Sequence, residues 1–493
     1  MSNLVALVPL VIFLVLALTV SLVVRRRTHT AGGGFVKEYF IGNRALGGFV
    51  LAMTTIATYG SVSSFVGGPG QAWLVGWGWV YMAVVQVTAL VLLYGILGKK
   101  MALVSRKLDA VTVIDVIRAR YSSNALANVS AVVVVLFFAA TMVAQFVGGA
   151  KLFEAVTGYS YLVGLVLFGV AVVLFTTIGG FRGVAVTDAI CGVAMLIGIF
   201  VLAAGILAAG GGYENIMDTI RANRPEMLEP FGGGSMPATL YFTQWLLVGI
   251  FTFVLPQSAV RCMGFKNTKS LHSAMWIGAV TCAFVIVGMH LAGVWCGALI
   301  DTSTLPNSDY FIPTVVLQIM PVGIAGLFLA APLAAVMSTV SSLLILASAA
   351  IIKDIYHTYY VKDDPARLAK YQKNLGKFTI GGTLLVGIVT VLLALNPPDI
   401  IWVLNLFAMG GLECAFFWPL VGGLFFKKGT KQGAVAASIG GAAFYIFAYY
   451  NVKVLGINAV VWGLLVSAIL YYVVSYATCP KEGLDKDVLE KCF

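Results

Sequence analysis

The chain has 493 residues, of which 60% are hydrophobic and 10% charged, with a formal net charge of +11. A mean hydropathy of +0.97 with so little charge excludes a soluble globular protein, whose surface such a composition cannot cover. The absence of a GxxxxGK[ST] motif argues against ATP as the energy source, and seven cysteines without a CxxC, with four histidines in no HxxxH spacing, leave haem, zinc and redox chemistry without a ligand set.

Apolar runs of about 18 residues or more recur along the whole length, the pattern of a polytopic helical membrane protein. The ten-residue alternation of a β-barrel is missing, and no segment reads as a cleaved signal. In chain order the spans fall at roughly 3–24, 47–68, 73–98, 126–150, 159–178, 187–209, 239–257, 272–299, 322–352, 376–395, 400–425, 433–450 and 457–477. An odd number puts the termini on opposite sides. With the N-terminus outside and the C-terminus cytoplasmic, the cytoplasmic segments, from Arg25-Arg26-Arg27 through Arg261 to the 353–377 loop and Lys427-Lys428, hold all but four of the 31 Lys and Arg. Lys151, Arg221, Arg224 and Lys453 remain outside. The basic excess then faces anionic lipid at the inner (plasma) membrane and implies no nucleic-acid partner. No stretch between spans reads as a soluble domain, and the segment after Ala477 is too short for a signalling module.

Span two, "LAMTTIATYGSVSSFVGGPG" (51–70), carries Gly60 in its middle and Gly67-Gly68-Pro69-Gly70 at its end. Span seven, "LYFTQWLLVGIFTFVLPQSAVRC" (240–262), carries Gly249 and Pro256. These spans open two five-helix sets, 2–6 and 7–11, of opposite orientation. Interrupted helices in corresponding positions of inverted halves mark the midplane site of a secondary transporter. The expected organisation is one membrane domain over 1–493, with repeat 1 at about 47–209, repeat 2 at about 239–425, and peripheral helices at 3–24, 433–450 and 457–477.

Span nine contains "LAAPLAAVMSTVSS" (329–342). At 100° per residue, Ala335, Ser338, Thr339 and Ser342 fall within an arc of about 100°, with Ser341 at its border. Hydroxyls sharing one face at the bilayer midplane suit a weakly held monovalent cation, with freed carbonyls near Ala57 and Gly60 of span two opposite. Hydroxyls also serve as helix glue by bonding back to the preceding turn. Two carboxylates are read inside spans, where a charge is costly and points to function: Asp188 at the start of span six, for which a helix-start acid is the rival reading, and Glu413 near the centre of span eleven, for which the rival is a protonated or hydrogen-bonded structural group.

The stretches "EYFIGNRALGGFVLAMTTIATYGSVSSFVGGPG", "LFTTIGGFRGVAVTDAI", "LPQSAVRC", "AAVMSTVSS" and "GLFFKKGTKQGAVAASIGG" together resemble the sodium/solute symporter family over essentially the whole chain. The last of them, 423–441, fits the family's C-terminal signature. The "GGFRG" stretch fits the other signature in part, with Phe175 and Gly183 off-pattern. Within the family, "ATYGSVSSFVGGPG", "GWGWVYMAVVQ", "GILGKK", "GMHLAG" and "NLFAMGGLECAFFWPLVGGL" point to the branch that imports pantothenate. The resemblance implies an all-α, LeuT-like inverted five-helix repeat with discontinuous spans two and seven, and sodium as coupling ion without a further cofactor. It implies a main sodium site from the carbonyls of Ala57, Gly60 and Ala335 and the hydroxyls of Ser338 and Thr339. A second site, found in some members, maps to Asp188 with Ser338, Ser341 and Ser342. The substrate is expected among Tyr59, Ser63, Ser64, Gln86, Thr252 and Asn405, with Glu413 a further candidate and Gln145 more remote. Tyr59 stands where other members carry a carboxylate or amide. Another small monocarboxylate, an amino acid or another vitamin stays open as substrate. A channel or transporter-like sensor is the alternative of another class, although no charged pore ring is visible. No catalytic constellation argues for an enzyme, and the oligomeric state is not legible.

Overall fold

The computed structural model describes residues 4–28, 41–300, 305, 307–361, 364–396, 401–452, 454–480 and 485–493. Lys453, counted above on the outer side, and the side chains of Arg25–Arg27 and of 179–182 within "GGFRG" lie outside what is described. Among the described residues eleven helices are long and apolar enough to cross a membrane, or up to thirteen candidate spans when each of two sharply bent helix pairs is counted as one. The bent pairs are spans two and seven, where the sequence places the interruptions.

We number the helices in chain order. The first span is α1, Leu4–Thr28. Span two is α2, Gly48–Tyr59, followed by α3, Ser63–Val75, at 66°. Next come α4 (Trp77–Lys107), a short α5 between spans (Val113–Tyr121), α6 (Asn124–Thr157), α7 (Tyr161–Ile178) and α8 (Gly183–Ala209). An outer helix α9 (Tyr213–Asn223) precedes span seven, made of α10 (Ala238–Val254) and α11 (Pro256–Gly264), bent by 41°. The second half continues with α12 (Thr268–Cys296), α13 (Phe311–Ile319), α14 (Val322–Val361), α15 (Pro365–Leu393), α16 (Ile401–Phe425), α17 (Lys431–Asn451) and α18 (Ala459–Thr478). A short α19 (Lys486–Cys492) closes the chain.

Side-chain caps set many helix starts: Ser123 on Leu126 N–H for α6, Asn267 on Ser270 N–H for α12, Thr430 on Gly433 N–H for α17 and Asn458 on Val460 N–H for α18. Span seven breaks at Leu255-Pro256: Pro256 brings no N–H, and Leu255 turns to φ −54°, ψ 130°. Gly249 is not the break; a Cβ there would lie 2.7 Å from Val85 O, so this glycine permits close packing on α4. The start of α2 is tied to the end of α11 by a single parallel bridge, Leu46 to Phe265, with Leu46 N–H donating to Gly264 O at 3.1 Å and Lys266 N–H to Leu46 O at 3.0 Å.

The loop expected over 353–377 is largely helical. Span nine continues in π-helical turns over Ala350–Val361, and α15 starts at Pro365 under an Asp364 cap. Two contacts that periodicity does not reveal hold the extension. Tyr356 packs on Tyr360, Tyr371 and Phe378, and Lys353 and Asp354 pair with Asp115 and Arg118 of α5.

Helix α14 lies at the centre. In its apolar window 89% of residues are buried, against 22% in α1, and it packs on α1, α2, α6 and α8. The peripheral helices turn Leu136, Leu167, Phe200, Trp276 and Leu392 outward, the apolar exterior a bilayer requires. Helix α3 meets α12 most closely at one point: a Cβ on Gly293 would lie 2.8 Å from Pro69 Cα, while on another side of α3 a Cβ on Gly70 would meet Ser308 O, in the turn ahead of α13.

Candidate ion and substrate site

The break in span two creates the first polar cluster. Gly60 leaves the helix at ψ 84°. Its N–H still donates to Ile56 O at 2.6 Å, but Ser61 N–H turns to Tyr59 O at 3.0 Å and Val62 N–H to Gln145 Oε1 at 2.9 Å. In a continuous helix those two N–H groups would serve Ala57 O and Thr58 O, so both carbonyls are freed. Helix α14 supplies the replacements: Ser338 Oγ donates to Ala57 O at 2.7 Å and Thr339 Oγ1 to Thr58 O at 3.3 Å. Ser338 Oγ also lies 2.9 Å from Ala334 O and 3.1 Å from Ala335 O. One hydroxyl carries one proton and cannot serve three carbonyls at once. The cluster has more oxygen lone pairs than protons, which suits a hard monovalent cation. Thus Ala57, Ala335, Ser338 and Thr339 are brought together, while Gly60 forms the break beside them.

A second cluster lies along the same helices. Asp188 Oδ2 accepts from Thr54 Oγ1 at 2.8 Å and Ser342 Oγ at 3.5 Å. Arg261 of α11 stands 3.6 Å from the same oxygen, and both side chains of this ion pair are 1% exposed. Arg261 Nη2 also donates to Ser342 Oγ at 2.9 Å, to Thr54 Oγ1 at 3.3 Å and to Thr58 Oγ1. Asp188 and Ser342 therefore meet as expected. Ser338 and Ser341 do not hydrogen-bond the carboxylate, and Ser341 Oγ donates to Ser338 O at 3.1 Å. The position of Arg261 corrects the charge reading, which set it among cytoplasmic loop cations. Past Pro256 the chain resumes as helix, and α11 carries Arg261 into the core. An arginine in "LPQSAVRC", so close to a span-breaking proline, was the available signal.

A polar cavity adjoins the first cluster. Thr58 and Thr339 line it, and so do Tyr59, Ser63, Ser64, Gln86 and Asn405, five of the expected substrate residues. Tyr59 Oη donates to Val248 O at 2.6 Å, tying α2 to α10 across the cavity. Thr252 is not part of the lining; its hydroxyl turns back to Gly249 O at 3.1 Å. Glu413 also lies off the cavity, fully buried one turn beyond Met409. Gln145 serves the helix break instead. The sequence reading missed Ser61, Gln257, Ser258, His290 and Trp402, all at the cavity. His290 Nδ1 lies 2.6 Å from Ile286 O, a carbonyl that can only accept, so Nδ1 carries a proton and Nε2 is the ring nitrogen left for other partners. Lone histidines in apolar helices give no periodic signal, which is why His290 was passed over.

An oxygen-rich cluster at a helix break, next to a polar cavity and among eleven to thirteen candidate spans, is the arrangement of a secondary transporter. The sodium:solute symporter family matches residues 39–441, and the chain belongs to that family. It is 40% identical over 467 residues to the sodium/pantothenate symporter of Escherichia coli (strain K12), covering 94% of this chain and 95% of that one. The sodium/pantothenate symporter of Haemophilus influenzae is 40% identical over 474 residues, 96% of each chain. Among solved structures, a substrate-bound, outward-open sodium-coupled sialic acid symporter superposes with a TM-score of 0.81 at 20% identity, covering 98% of this chain and 99% of that one.

Proposed function

We propose that this chain imports pantothenate coupled to sodium entry by alternating access. The observation that carries the sodium part is the pairing of Ser338 and Thr339 with the carbonyls freed at the break of span two. The substrate reading is supported by the two 40%-identical sodium/pantothenate symporters, each aligned over nearly all of this chain. Pantothenate is a small anion with hydroxyls and an amide. The cavity offers hydroxyl and amide groups from Tyr59, Ser63, Ser64, Gln86 and Asn405, with no Lys or Arg in its lining. The counter-charge is then the nearby sodium and the N-terminal end of α3.

In this mechanism sodium, from the side facing the N-terminus, replaces the hydroxyl hydrogen bonds and braces α14 against α2, with Ala57, Gly60, Ala335, Ser338 and Thr339 as ligands. Substrate binds beside it, and the bundle built from the inverted repeats 47–209 and 239–425 rocks. Sodium leaves to the cytoplasm, where the C-terminus lies. Coupling is reciprocal, each ligand raising the other's affinity by the same factor. A second sodium at Asp188, Ser338, Ser341 and Ser342 would have to displace Arg261 from Asp188. The sodium Hill coefficient of wild type and Asp188→Asn tests that: a value of one in both leaves a single coupled ion.

The decisive experiment is uptake of labelled pantothenate into proteoliposomes, with and without an inward sodium gradient, by wild type and the double variant Ser338→Ala/Thr339→Ala. We expect sodium-dependent accumulation in wild type and an apparent sodium affinity lower by about tenfold or more in the variant, at least about 1.4 kcal/mol. Wild-type protein that binds sodium but takes up no pantothenate would overturn the substrate and keep the ion site.

A further inference from the structure

Glu413 is a carboxylic acid in the middle of α16 that is fully buried, and neither of its oxygens has a hydrogen-bond partner among the described residues. It continues a stripe that lines the cavity. Asn405 and Met409 face the cavity, and Glu413 follows at the next i+4 position, about 6 Å further along the axis. The ionisable groups near enough to feel its charge are Tyr59 of α2, which lines the cavity, Tyr445 of α17 and the adjoining Cys414.

No cation faces it. On α6, Phe137 packs on Gly411, and the charged residues Lys151 and Glu154 lie about 20 Å further along that helix. On α17, Lys431 is as far from Tyr445. Helices α3 and α18 and the segment Phe251–Val254 carry no acidic or basic residue. An ionised carboxylate stripped of water and of every partner is far costlier to bury than the neutral acid.

We propose that Glu413 is a proton-binding site, and that the anionic substrate occupies the cavity only while Glu413 holds its proton. The inference rests on the pantothenate reading for the charge of the substrate. The equilibrium is simple: a solvent proton adds to a carboxylate oxygen of Glu413 to give the acid, and leaves the same way when a conformational change admits water. When the proton leaves, a negative charge stands one helical turn from the cavity and repels the substrate carboxylate. Glu413 would thereby couple proton release to substrate release at the Phe425 end of α16.

The test is equilibrium binding of labelled pantothenate, at saturating sodium, to purified full-length wild type and Glu413→Gln across neutral to alkaline pH. We expect wild-type affinity to fall by about tenfold or more as pH rises and the variant's affinity to stay level. Glu413→Met, which needs no hydrogen-bond partner in a dry site, should behave like the Gln variant and serves if that one does not fold. Identical pH profiles in wild type and variants would overturn the proposal. Infrared difference spectroscopy decides the protonation without any substrate. A protonated-carboxyl C=O band should be present in wild type at neutral pH and absent from both variants. If that band is present while pantothenate fails to bind, the substrate reading falls and the proton site stands. Absence of the band from wild type sinks the proton site itself.

Discussion

Asp188 and Glu413 are two carboxylates buried in the same membrane domain, and the molecule treats them in opposite ways. Asp188 has an arginine and two hydroxyls on one oxygen. Neither oxygen of Glu413 has a hydrogen-bond partner among the described residues. An ion pair with hydrogen bonds lets a carboxylate keep its charge away from water, at the cost of depending on every member of the set. A lone acid depends on nothing, but stays in place only as the neutral form. Asp188 is therefore held through Oδ2 by polar partners at the junction of α2, α8, α11 and α14, with Oδ1 unpartnered among the described residues, and Glu413, which lacks any such set, is the proposed proton-binding site beside the cavity.

The contrast is most exposed to Arg261→Gln. Removing the cation leaves Asp188 buried without its counter-charge, and we expect a loss of about 3–5 kcal/mol, read as a large drop in thermal stability of detergent-solubilised protein. Adding Asp188→Asn should recover much of that loss. A double-mutant cycle with no coupling energy would break the comparison.

Asp115, outside the membrane spans, should give an intermediate effect. Burial pushes its carboxyl up, but Lys353, the Val111 N–H and Arg118 outweigh burial and hold it below the usual carboxylate range. It also completes a capping box with Thr112 at the start of α5. Because the folded value is depressed, its stabilisation is complete above the unfolded value of about 3.9 and is lost as pH falls below it. Asp115→Asn should cost about 1 kcal/mol near neutral pH and remove part of the acid sensitivity of the melting temperature.

The smallest stability effect is expected for Glu413→Leu, which removes a polar group that has no partner to strand. Its stability should stay within about 1 kcal/mol of wild type or rise. A loss as large as that of Arg261→Gln would show that Glu413 has a structural role like that of Asp188.

Much of this was legible in the sequence. The thirteen spans, the interruption at Gly60 and the hydroxyl face of span nine follow from hydropathy, glycine and helical phase, which are local properties. What stayed hidden depends on contacts between distant segments. Gln145 at the break and Thr54 beside Asp188 are ordinary residues until the chain is folded. Arg261 was misassigned because a basic residue near a span end reads as a loop charge. Thr252 was expected at the cavity from the family resemblance and Glu413 from its depth in span eleven, and rotation about the helix axis turns both away from the lining. The 353–377 segment was read as loop because its helix is held by aromatic stacking and ion pairs, not by an apolar stripe.

The glycine seam between α3 and α12 carries a further consequence. Where main chain rests against main chain at Gly293 and Pro69, no layer of side chains remains to shear or rearrange. At that point the two segments are locked against sliding past each other. At Gly293 the sequence has almost no spelling freedom, because even a single added methyl group collides with the Pro69 backbone.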